Sequence, residues 1–136
     1  MSELVRDAMV ADPLSLEASA TAQEAGEALA RNEVRAVFVC ADGKLVGVVT
    51  RKTLVREVVA EGRDPSQTPL LLIAEPPIHT IDADADLDAA FHDLEQRDLE
   101  RVPVTEPDGR LAGVLSRAVV QRRLAEDEPP PTEATV

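Results

Sequence analysis

Apolar positions along the chain come in short bursts whose spacing alternates between helical and extended. A short segment, Leu4 to Met9, precedes an extended piece around Leu14 to Leu16. Ala22, Ala25, Ala28 and Leu29 then fall on one face of a helix, with Thr21 placed to cap it and Glu24 three residues on, as in a capping box. Val34 to Val39 is rich in β-branched residues and predicts a strand. Asp42-Gly43 predicts a tight hairpin turn, and Leu45 to Val49 the returning strand. Thr50 is placed to cap a second helix carrying Leu54, Val55, Val58 and Val59, and Gly62 to end it.

The order is then written again. Leu70 to Ile73 is a short element, and Thr80-Ile81 is extended. Asp86 caps a helix carrying Leu87, Ala90, Phe91 and Leu94. Val102 to Thr105 is a strand, Pro107-Asp108-Gly109 a turn, and Leu111 to Leu115 a strand. Ser116 caps a last helix with Val119, Val120 and Leu124. The letters repeat as well as the pattern. DGKLVGVVTRKTLV from Asp42 returns as DGRLAGVLSRAVVQ from Asp108, 66 residues later (108 − 42). VRAVFV from Val34 returns as LERVPV from Leu99, and LSLEASATAQEAGEAL from Leu14 as HTIDADADLDAAFHDL from His79, each 65 later (99 − 34 and 79 − 14). The one-residue difference falls in a turn.

A duplicated unit governs the fold reading. The fold class is α+β: two β-α-β-β-α-type repeats, 1–62 and 70–125, joined by a linker at 63–69. One copy buries little alone, so the pair is expected to pack as one pseudo-twofold unit with equivalent clefts at the junction, where small ligands bind. The segment 126–136, acidic and proline-rich, is expected to be disordered.

Composition narrows the function. The formal net charge of −12 disfavours nucleic acid and anionic membrane surfaces, both of which need a basic face. Trp and Tyr are absent and the aromatics are Phe38 and Phe91, so the core is aliphatic. A single cysteine, Cys40, allows no internal disulfide, which reads as cytoplasmic. The start MSELVRDAMVADP lacks a basic, then apolar, signal-peptide pattern, and no run approaches the roughly 20 apolar residues of a membrane span. Asp82, Asp84, Asp86 and Asp88 resemble a calcium loop, but its sixth and twelfth positions are Leu87 and Asp93 rather than Gly and Glu. His79 and His92 have no cysteine nearby and form no zinc pattern. Arg35 and Arg101 flank the first strand of each copy and read as surface partners of nearby acids. No nucleophile–base pair or metal set is visible, so no enzyme, metal or cofactor is expected.

Taken together, RVPV at Arg101 to Val104, DGRLAGVLS after it, and DGKLVGVVT in the first copy resemble the CBS domain, named after cystathionine β-synthase. Leu4 to Ala125 is similar to one tandem CBS pair, or Bateman module. The resemblance implies a pair that folds as one unit, forms a homodimer and binds an adenine nucleotide between its copies. Carried over residue by residue, it implies contacts from Ser15, from Ala36, Val37 and Phe38, and from Thr50, Arg51 and Thr53 in repeat one. In repeat two it implies Thr80, then Arg101, Val102 and Pro103, then Ser116 and Arg117. Where the family pattern has an aspartate for the ribose, this chain has Thr53 and Val119; the first keeps one neutral hydrogen bond and the second none. Independently of the resemblance, Thr50 and Ser116 at helix starts, followed by Arg51, Lys52 and Arg117, suit an anion. The plainer reading is that the hydroxyls only cap helices.

The expected function is a stand-alone regulatory module that senses ATP, ADP, AMP or S-adenosylmethionine and signals to an unidentified protein partner. The alternative is a ligand-free dimerisation or protein-interaction module.

Overall fold

The computed structural model describes residues 3–11 and 13–127. The tail expected from residue 126 lies, from 128 onward, outside the described residues.

Each repeat contributes the same small sheet. In repeat one, β2 (Ser15–Glu17) runs parallel to β3 (Val37–Ala41), which pairs antiparallel with β4 (Lys44–Val49). In repeat two, β5 (Ile81–Asp82) runs parallel to β6 (Arg101–Thr105), which pairs antiparallel with β7 (Leu111–Ser116). Both hairpins turn as their sequences require. Asp42 and Gly43 take φ of 53° and 81°, the left-handed pair of a tight hairpin turn, and Gly109 takes 93°. The two hairpin tips touch, with the Leu45 N–H donating to the Gly109 carbonyl and the Leu111 N–H to the Gly43 carbonyl.

Helices cover one face of each sheet. α2 (Ala22–Leu29) is capped by the Thr21–Glu24 box, and α5 (Leu87–Arg97) by Asp86. α3 (Arg51–Leu54) starts at Thr50 and continues as a π-helical turn over Val55–Val59. This turn buries Val58 and leaves Val55 and Val59 exposed, so those two do not join the apolar face that their spacing suggests. α6 (Arg117–Asp127) follows β7.

The two leading elements, α1 (Val5–Ala8) and α4 (Leu70–Ile73), are exchanged. Val5 and Ala8 pack with Leu87, Leu94, Val104 and Leu115 of repeat two, whereas Leu70 and Ile73 pack with Leu29, Val37, Val39 and Val49 of repeat one. The backbone bonds of the exchange are reciprocal. Val5 N–H donates to the Ala85 carbonyl, and Leu70 N–H to that of Ala20; each residue of the second bond is 65 from its counterpart (70 − 5 and 85 − 20). Leu87 N–H to Glu3 and Ala22 N–H to Thr68 are related in the same way (87 − 22 and 68 − 3). An apolar burst shows that one side of an element must be covered. It does not show which core covers it. Each leading segment then adds an edge to the other repeat's sheet: β1 (Val10–Ala11) pairs antiparallel with β7, and Glu75 bridges Val48 of β4.

Candidate functional site

The exchange brings both repeats and both connecting segments to one cleft of about 520 Å³. β4 and the start of α3 supply Val48, Thr50 and Thr53, and the approach to β3 supplies Val34, Arg35, Ala36 and Phe38. Repeat two supplies Arg101, Val102 and Pro103 from β6, and Val114, Ser116 and Val119 around the start of α6. Pro13-Leu14 and the run Glu75 to His79 also line it.

Eight of the residues that the sequence nominated therefore line one cavity: Ala36, Phe38, Thr50, Thr53, Arg101, Val102, Pro103 and Ser116. Val37 is fully buried in the repeat-one core. Ser15 and Thr80 are exposed and lie outside the lining, which takes Leu14 and His79, one residue earlier in each copy. Arg51 is also outside it, donating to the Arg31 carbonyl at 2.8 Å. Arg117 is held by Asp98 and Glu100.

At the repeat-one end a polar chain crosses from helix to connector. Thr50 N–H donates to Thr53 Oγ1 at 3.1 Å, and Thr53 N–H donates back to Thr50 Oγ1 at 3.3 Å. Thr53 is 1% exposed, and its hydroxyl donates to Glu75 Oε1 at 3.1 Å. With its one proton given to Glu75, Thr53 accepts from the Thr50 hydroxyl, 3.1 Å away. Every polar atom of this buried threonine is thus satisfied, as burial requires.

Arg35 and Arg101 both line the cleft, and neither has an ion pair among the described residues. The expected pairing with surface acids is not present there. His79 Nε2 meets Asp93 Oδ2 at 2.5 Å, and Arg97 Nε donates to Asp93 Oδ1 at 2.9 Å. Arg97 and then His79 hold the Asp93 carboxyl below its ordinary value. Among the described residues no three His, Cys, Asp or Glu side chains gather as metal ligands, and no helix is long and apolar enough to cross a membrane.

Glu75, Arg35 and His79 were not nominated from sequence. Glu75 stands 65 residues after Val10 (75 − 10), in the segment that the exchange delivers to the other repeat, so the repeat alignment gives its position but not its role.

The family model of the CBS domain matches residues 5–60 and 72–126. The chain belongs to the CBS-domain family. Hypoxic response protein 1 of Mycobacterium tuberculosis is 28% identical over 122 residues, covering 89% of this tandem CBS protein and 85% of the relative. The crystal structure of Hypoxic Response Protein I with two coordinated zinc ions is similar at a TM-score of 0.75 and 26% identity, over 89% of this chain and 98% of that one. CBS domain protein PAE2072 from Pyrobaculum aerophilum, solved in complex with AMP, is similar at a TM-score of 0.69 and 26% identity, over 91% and 99%. CBS pairs are generally regulatory modules rather than catalysts.

Proposed function

We propose that this CBS pair is a ligand-sensing regulatory module whose inter-repeat cleft binds an adenine nucleotide or a related adenosyl compound. The carrying observation is a cavity lined by both repeats, with a held carboxylate and hydroxyls at one end and, on its walls, two arginines that have no ion pair among the described residues. Its volume suits a nucleotide-sized molecule, since small-ligand pockets run from about 300 to 1,000 Å³. Apolar walls from Val34, Phe38, Val102 and Pro103 suit a purine face, and the arginines suit a phosphate. The AMP complex of PAE2072 supports the same ligand class.

A ligand that touches both repeats favours whichever relative arrangement it binds more tightly, and that differential affinity is the signal. The output then passes to a separate protein partner, or through a homodimer, in the cytoplasm. Calorimetric titration with ATP, ADP, AMP and S-adenosylmethionine tests the reading, and silence from all four at millimolar ligand rejects it.

A second reading, a ligand-free interaction module, is favoured by Arg51 and Arg117. Both are engaged elsewhere in the fold rather than presented to the cleft. Light scattering and a pull-down with the unliganded protein would support it only if the titrations are blank.

A further inference from the structure

The candidate ligands share one piece of chemistry besides the adenine, a ribose whose vicinal hydroxyls are two neutral donors. An ionised carboxylate only accepts and can take both hydroxyls. Among the described residues two carboxylates line the cleft, Glu33 and Glu75. Glu33 is paired with Arg31 at 3.2 Å, on a side chain that is 72% exposed. Glu75 is exposed as well, but it is anchored through both its main chain and its side chain. Its main chain is clamped to β4, donating to the Val48 carbonyl at 3.0 Å and accepting from the Val48 N–H at 2.8 Å. Its Oε1 accepts from the buried Thr53 hydroxyl, leaving Oε2 without a hydrogen-bond partner among the described residues. The carboxylate is therefore oriented before any ligand arrives, which lowers the entropy lost on binding.

Among the described residues the pseudo-symmetric end of the cleft has no such group. The counterpart of Glu75 is Val10 (75 − 65), and that of Thr53 is Val119 (53 + 66); both line the cavity and neither side chain can accept a hydrogen bond. We propose that Glu75 is the ribose acceptor of this cleft, and that the protein holds one adenosyl ligand per chain, its diol at the repeat-one end. This rests on the adenosyl reading above. It assigns the contact to the connector between repeats rather than to a helix. A ligand bound this way grips the joint that the two repeats share.

The test is calorimetry with AMP and 2′-deoxy-AMP on the wild type, Glu75→Gln and Glu75→Ala, with thermal melts run beside it. Glu75→Gln retains an oxygen for Thr53 and so preserves the local fold. The wild type is expected to bind one AMP per chain and to prefer it to the deoxy analogue by about tenfold, one charge-assisted hydrogen bond's worth. Both variants are expected to bind AMP about ten- to a hundredfold more weakly and to lose the ribose preference. A wild type that binds AMP, with an unchanged preference in Glu75→Gln, overturns the assignment and leaves the adenosyl reading standing. Two AMP per chain overturns the single site. A wild type that binds none of the four adenosyl compounds overturns the function and the assignment together.

Discussion

A Cβ on Gly113 would stand 2.5 Å from the carbonyl oxygen of Val10. Its counterpart Gly47 is as crowded, since a Cβ there would meet the Ala74 Cβ at 2.7 Å and the Glu75 carbonyl at 3.1 Å. The glycine of each DGxxxG therefore answers to the exchange: it is where the other half's leading segment crosses the sheet. Gly113→Ala is expected to destabilise by about 1–3 kcal/mol, as overpacking does, because the atom in the way is backbone. Gly47→Ala should cost a similar amount and also displace Glu75, weakening AMP binding. Urea midpoints equal to that of the wild type would contradict the close approach.

The exchange of α1 and α4 makes a regional prediction. Leu70 is fully buried in the repeat-one core, so Leu70→Ala should cost about 2–5 kcal/mol. Hydrogen exchange should show protection lost first in β3 and β4. Val5→Ala should instead loosen β6 and β7, since Val5 is buried in the repeat-two core. Loss of protection in the same repeat as the mutation would contradict the exchange.

Arg6 ties the N-terminal segment to repeat two through Glu106, at 2.7 and 2.8 Å, and through Asp84 at 3.0 Å. The Arg6 hydrogen bond holds the Glu106 carboxyl below its ordinary 4.5. A carboxyl that is more acidic in the native state stabilises fully above its unfolded value and loses that contribution as pH falls through the native one. Stability is thus expected to decline on acidification below about pH 4.5, and Arg6→Gln to flatten that decline. Parallel acid limbs in stability-against-pH curves of the two proteins would count against the linkage.

Thr53→Asp restores the carboxylate of the family pattern but places it beside Glu75, whose oxygen is 3.1 Å from the present hydroxyl. Two carboxylates that close cannot both ionise comfortably, so one is expected to titrate above the ordinary range. The variant should be less stable than the wild type at neutral pH and regain ground as pH falls, because the native state then binds the extra proton. Equal stability of the two proteins from pH 4 to 8 would contradict the proximity.

Arg35→Ala and Arg101→Ala test the charge in the cleft. Each is expected to weaken AMP by about tenfold while leaving adenosine nearly unaffected, since only the phosphate is lost as a partner. The wild-type preference for AMP over adenosine should also shrink with salt. Equal losses for both ligands would place the arginines in the fold rather than at the phosphate.

Local chemistry was enough to place the caps and turns. The Thr21–Glu24 box, the Asp42-Gly43 turn and the Asp86 cap are decided within a few residues of themselves, and the structure has each of them. The polar end of the cleft was half visible: Thr50 and Thr53 could be nominated, but Glu75 reads in the chain as one more acid in an acidic protein. Arg35 reads equally well as a surface partner of those acids, and only its position on the cavity wall distinguishes it.

By itself, the order of residues determined a duplicated α+β unit with an aliphatic core, because helical and extended spacing, caps and turns act over short range. Tertiary structure decided which core received each leading segment, and hence that Glu75, not Val10, faced a buried threonine hydroxyl. That choice depends on two leading segments, 65 residues apart in the chain, each covering the open edge of the other repeat's sheet. No local pattern records such an energy.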